Sequence, residues 1–475
     1  MRARAQRSRF TSPPGRRARR LASLWALALL AGLTGAAPAA RAEEYAPLVL
    51  MGERAPYLQA PSAFEADDPF DLDVRLSVVQ ARTHATIARE QGRDPRGGFK
   101  HVVLGRYTHI ETRLALGLAL GLFPGGGVYA RLPLVLEDTR TLTPRLERPG
   151  GLLDAVPGGA PLFDFGGVGR LSGPTRSGIE SVTVGVQAAV LSQDRDPDRP
   201  TWLWRVETRL GVGHLMAPCV AGRTDDAGEV VPCGSGVSTG EHALRVETRL
   251  GRRYRFAEPY AGFAFEAAWA ARAKDAFEPD GDLRGYGRSR PPWRSAWTAG
   301  LALVPWENRA RYQRVVLDLR ADATYVSRGR DYAPLYDALG ASTNPYLTTP
   351  ACEAPGASAP GACAAGGYRQ ARFTGITEVG AHGRVGGRMS IDLRPARFVR
   401  FRLTAGLHYD TAHLITGGAA CRGSGDAGED AARAEGCDQG VFDPRYRAAI
   451  DAPGHRFFEA GAVTLDIGAT ASAMF

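Results

Sequence analysis

Residues 110–136 read Ile110-Glu-Thr-Arg-Leu-Ala-Leu-Gly-Leu-Ala-Leu-Gly-Leu-Phe-Pro-Gly-Gly-Gly-Val-Tyr-Ala-Arg-Leu-Pro-Leu-Val-Leu136. Up to Leu122, Ile110, Thr112 and then every second residue from Leu114 share one parity, while Glu111, Arg113, Ala115, Gly117, Ala119 and Gly121 take the other. Period two is the signature of a strand with two different faces. A helix needs apolar residues every three or four positions, and Pro124-Gly125-Gly126-Gly127 would break one. The chain returns with Val128, Ala130, Leu132, Leu134 and Leu136 on the apolar parity and Tyr129, Arg131 and Glu137 opposite, so the stretch predicts a β-hairpin.

The final residues repeat the pattern, with Val463, Leu465, Ile467, Ala469, Ala471, Ala473 and Phe475 on one parity. This ending resembles the terminal aromatic strand by which outer-membrane barrels are recognised for insertion, and it marks Phe475 as the expected insertion signal. Strands of a soluble sandwich alternate as well, so one strand does not decide. Period-two reading of the chain gives strands near 70–82, 102–123, 127–139, 179–193, 201–214, 242–255, 258–271, 293–305, 313–327, 373–394, 398–415 and 457–475. Short connections follow every second strand, and long ones fill 83–101, 140–178, 215–241, 272–292, 328–372 and 416–456. Long connections confined to one end are expected of a transmembrane, antiparallel, up-and-down β-barrel with short periplasmic turns and long extracellular loops. The predicted fold class is therefore all-β, a barrel of about twelve strands over 70–475.

Residues 1–42 carry nine arginines and no acid, then an apolar run from Leu21 to Leu33 and a small-x-small site at Ala40-Arg41-Ala42, which reads as a secretory signal peptide. Of 59 Lys and Arg, those nine belong to the leader, leaving 50 against 50 Asp and Glu. The sequence pI of 9.4 is thus a property of the leader, and no nucleic-acid partner is expected. Residues 43–69, with Pro47, Pro56 and Pro61, have two open readings: a periplasmic lumen plug or an unstructured segment. Six cysteines form three close pairs, Cys219 with Cys233, Cys352 with Cys363 and Cys421 with Cys437. In an exported chain these predict local disulfides in the long loops. No C-x-x-C spacing supports a metal, and no cofactor is expected.

Two copies of one motif, Arg205-Val-Glu-Thr-Arg-Leu-Gly211 and Arg245-Val-Glu-Thr-Arg-Leu-Gly251, place Arg205, Glu207, Arg209, Arg245, Glu247 and Arg249 on the face opposite Val, Thr and Leu. Glu111 and Arg113 echo it, Asp318, Arg320 and Asp322 continue it, and so do Glu378, His382, Arg384, Arg388 and Asp392. Arg400, Arg402, His408 and Asp410 face them. Arginine at a bilayer midplane costs about 2–4 kcal/mol, so this face is expected to line a lumen. Two compatible readings stand: a salt-bridged ladder holding strand register, and a polar channel wall whose mixed signs give weak ion preference. No catalytic residue is expected, since His408 and Asp410 lack any nucleophile turn and the glycines form no phosphate loop.

The hairpin Ile110–Leu136, the block Ser181-Val-Thr-Val-Gly-Val-Gln187 and the turn Asp194-Arg-Asp-Pro-Asp-Arg-Pro200 resemble the bacterial outer-membrane channels that include the meta-pathway phenol-degradation and FadL-like transporters. The resemblance implies passive passage of small molecules and brings no catalytic residue with it. The expected function is an outer-membrane channel for small solutes; its partners would be outer-membrane lipid, the barrel assembly machinery and the solute. Alternatives are a closed barrel that binds or supports through its stapled loops, and a barrel lipid-modifying enzyme acting through His408.

Overall fold

The computed structural model describes residues 54–65, 68–93, 98–145, 162, 170–222, 229–278, 289–348, 371–419, 443 and 445–475. The expected signal peptide and Cys352, Cys363, Cys421 and Cys437 lie outside them. Twelve antiparallel strands form one closed wall: β1 Leu72–Arg93, β2 Phe99–Phe123, β3 Gly126–Pro144, β4 Val182–Leu191, β5 Thr201–Leu210, β6 Glu241–Gly251, β7 Ala257–Ala270, β8 Arg294–Asn308, β9 Gln313–Val326, β10 His382–Ala396, β11 Val399–Asp410 and β12 Phe457–Met474. Each pairs with its neighbours in the chain, and β12 also pairs with β1, so no edge is left open. At the seam Leu72 and Phe475 exchange backbone hydrogen bonds of 2.8 Å in both directions.

Short turns gather at the seam end, and the long connections lie at the other. One expected long connection is corrected. Residues 83–93 continue β1 and pair with β2 up to Arg93 opposite Phe99, so little of 83–101 is loop. The outward positions there are Arg82, His84 and Arg106, and a strand that rises beyond lipid needs no apolar outer face. Alternation therefore fades where the strand does not. Likewise β10 begins at His382 and not at 373; Thr377–Val379 instead pairs with Gly329–Asp331 in a separate two-stranded ribbon. Glu378 thus lies off the wall, where Arg328 holds it. The eleventh strand stops at Asp410, before the short pairing of His413 and Leu414 with β12. A bulge in β3 sets Glu137 opposite Thr112 and Asp138 opposite Glu111. One extra residue flips the parity beyond it, so Asp138, not Glu137, is the inward acid.

Outside, the wall is apolar, with Leu116, Leu118, Val186, Leu319, Leu403, Leu407, Leu465 and Ile467 all exposed. Exposed aromatics bound this belt, Phe256, Trp306, Phe398 and Phe475 at the short-turn end and Trp269, Trp293, Tyr325 and Tyr409 at the other. From Phe398 to Tyr409, at ~3.3 Å per residue and ~40° of tilt, is roughly 28 Å along the axis, close to the ~25 Å band of a membrane barrel. So large an exposed apolar surface is stable in lipid, not in water.

Inside the loop end, inward Ile87, Leu104, Tyr107 and Leu142 pack against Leu335, Leu339, Leu347, Ile415 and Ile450 from the long connections. These loops fold over the barrel and form a core there. Buried arginines tie it together: Arg447 Nε donates to the Leu347 carbonyl at 2.9 Å, Arg89 to that of Ala449 at 2.7 Å, and Arg176 Nη1 to Asp337 at 3.1 Å. Cys219 and Cys233 form the expected disulfide in the connection after β5. His413 stacks on His382 with centroids 3.9 Å apart. Burial, then the His382 beside it, pushes the His413 imidazole down to about 4, leaving it neutral at pH 7.

Candidate functional site: the barrel lumen

Alternation that exposes Val206, Leu244 and Leu250 outward turns the intervening arginines and acids inward. Register sets Arg245 opposite Glu207 and Glu247 opposite Arg205, as a ladder requires. Arg245 lies 3.8 Å from Glu207 and 4.0 Å from Glu266 on the next strand. Shorter contacts run along single strands: Arg205 to Glu207 is 3.2 Å, Arg249 to Glu247 2.9 Å and Arg113 to Glu111 2.5 Å. Residues two apart share a face, and a long guanidinium folds back to a neighbouring carboxylate. Arg113 also reaches Glu180 at 3.3 Å, and Arg209 reaches Glu266 at 3.6 Å.

A second group stands on β9 to β12. Arg384 binds Asp410 through two nitrogens, and Arg388 reaches Asp466 at 2.8 Å. Asp392 accepts from Arg400 at 2.7 Å and Arg402 at 2.9 Å. Asp318 takes the Tyr260 hydroxyl and lies 3.6 Å from Arg320, while Asp322 accepts from Thr298 at 2.7 Å. His408 faces Asp466 at 3.9 Å; Asp410 is held by Arg384, so the His408 and Asp410 noted in sequence take separate partners.

Between these groups lies a cavity of about 660 Å³. Arg205, Glu207, Arg245, Glu247, Arg249, Arg320, Asp322, Arg384, Arg388 and Arg402 line it; Glu111, Arg113, Arg209, Asp318 and Arg400 do not. Arg75, Arg131, Tyr129 and Tyr57 line it too, and sequence reasoning did not select them. The inward parity of Arg131 and Tyr129 could have found both. Nothing in the strand pattern could have found Tyr57, which precedes the barrel.

Residues 54–62 sit against the lumen at the short-turn end. Arg54 donates to Gln193 and Asp194 at 2.7 Å, the Ala55 amide to Glu258 at 2.7 Å, and Arg249 to the Tyr57 carbonyl at 2.7 Å. The Tyr57 ring stacks on Tyr260 at 4.7 Å, and the guanidiniums of Arg249 and Arg320 lie 4.4 and 4.6 Å from its centroid. Pro56, Tyr57 and Gln59 form one end of the cavity.

Glycines seat the lumen tyrosines. A Cβ at Gly185 would meet the Tyr129 ring, one at Gly300 the Tyr260 ring, and one at Gly262 the Tyr57 hydroxyl. Each tyrosine thus rests its hydroxyl end over a bare stretch of wall. Gly300→Val is expected to lift Tyr260 from its seat and cost about 1–3 kcal/mol of stability, read from denaturant unfolding in detergent. An unchanged midpoint would show that the ring relocates freely.

No family model matches the chain, and no curated protein matches it. Among solved structures it is similar to an outer membrane channel from Pseudomonas putida F1, at 9% identity over 85% of this chain and 95% of that one, with a TM-score of 0.33. It is similar to a FadL homologue of Pseudomonas aeruginosa, at 8% identity over 85% and 90%, TM-score 0.29. It is also similar to the outer membrane protease OmpT of Escherichia coli, at 6% identity over 86% and 96%, TM-score 0.26. Likenesses this distant say nothing about what the lumen does.

Proposed function

We propose that the chain is an outer-membrane channel for passive passage of small solutes, with its short turns toward the periplasm and its loop-packed end outside. The observation that carries this is a charged cavity of about 660 Å³ inside a closed wall whose outer surface is apolar. That volume suits a solute of small-molecule size. Residues 54–62 act as a plug in the periplasmic mouth, which the contacts of Arg54 and Tyr57 support. The wall arginines and acids serve both as register ladder and as channel lining. Insertion would require the barrel assembly machinery, and the belt its lipid.

Full-length protein reconstituted in liposomes is expected to admit arabinose faster than protein-free vesicles do. Folded barrel without flux would overturn the reading.

A further inference from the structure

We propose that the lumen holds a seat for a small organic carboxylate, built from Arg75, Gly117 and Arg131. It rests on the channel reading and names the class of solute. Gly117 on β2 lies opposite Arg75 of β1 on one side and Arg131 of β3 on the other. The two arginines therefore stand two strand spacings apart, ~10 Å between Cα atoms. No side chain rises between them, and all three residues line the cavity.

Their charge is available. Arg131 is exposed to the lumen and has no hydrogen bond or salt bridge among the described residues. The nearby acid Glu207 is taken by the Tyr129 hydroxyl at 2.7 Å and by Arg205 at 3.2 Å. Arg75 is anchored to Asp73 by its Nε at 2.8 Å and also by its Nη2, yet its side chain is 46% exposed and that of Asp73 only 2%, which leaves Nη1 to meet a solute. The same asymmetry recurs on β10. Arg384 is 51% exposed against 8% for Asp410, and Arg388 38% against 12% for Asp466. A short acid lies against the wall and the longer arginine extends past it, so the surface a solute meets is guanidinium. Nine arginines and three acids line the cavity. Equal signs along the strands imply weak selectivity; unequal reach makes the wall anion-attracting. The Arg131 fork and the Arg75 donors not taken by Asp73, on either side of a bare glycine, offer paired donors to carboxylate oxygens.

The test uses purified full-length barrel titrated with succinate at constant ionic strength, thermal stability being followed against potassium chloride. A saturable rise with succinate alone is expected. Arg75→Gln and Arg131→Gln should each weaken its half-saturation about tenfold, as loss of a charge-assisted bond implies. No rise beyond that with chloride, or a rise both variants retain, overturns the seat even if arabinose still passes. A rise lost in the variants without any solute flux upholds the seat and sinks the channel. Where current is seen, the zero-current potential across a salt gradient should show anion preference, and cation preference would overturn the inference.

Discussion

Deletion of Arg54–Ser62 is expected to raise single-channel conductance about threefold or more in planar bilayers, because pore resistance is set by its narrowest section. The segment is held by side-chain contacts, not by strand pairing with the wall: Arg54 bridges to Asp194, Tyr57 lies between Tyr260 and two guanidiniums, and Arg400 binds Gln59. Tyr57→Ala should give a smaller rise by releasing the stacked ring alone. The twelve-stranded ring closes through β12 and β1 without this segment, so the deleted barrel should still fold. Equal conductance in the full and shortened chains would show that the segment does not restrict the path and would move the constriction to the loop-packed end.

Asp392→Ala is expected to be among the most destabilising single changes in the wall. Its carboxylate accepts from both Arg400 and Arg402, and the side chains of Asp392 and Arg400 are only 5% and 8% exposed. Removal leaves two cations facing each other with little water, which for a buried pair costs about 3–5 kcal/mol. Arg402, at 28% exposure, reaches the wet lumen, so the lower end of that range is the expected value. The denaturant midpoint measures it. Asp392→Ala combined with Arg400→Ala should recover part of the loss, because the stranded charge is then absent. A double variant as weak as the sum of the two singles would contradict the assigned coupling.

Strand positions were legible wherever a strand crossed lipid. There the outer residues must be apolar and the inner ones are free to be charged, which writes the period of two directly into Ile110–Leu122 and Val463–Phe475. Beyond the belt that demand ends, so 83–93 read as loop although it is strand. A one-residue bulge at Leu136 was equally invisible, since a parity switch leaves composition unchanged. Glu378 kept the right spacing for β10 yet pairs elsewhere, in a ribbon closed only by distant contacts.

Much of the lumen wall was legible for the same reason: ten of its lining charges follow from parity. Two further parts were not. Tyr57 reaches the cavity by chain path, and the carboxylate seat needs three strands side by side in a particular register.

By itself the sequence determined the two-faced strands, the paired cysteines of the loop after β5 and the inward charges of the unbulged lipid-crossing stretches, because each depends on neighbours a few positions away. The tertiary structure decided which charges are sheathed and which are presented. Reach from the wall depends on side-chain length, on a neighbour's bulk and on register, and these meet only when the ring closes. An equal count of basic and acidic residues in 43–475 therefore became a guanidinium-lined cavity.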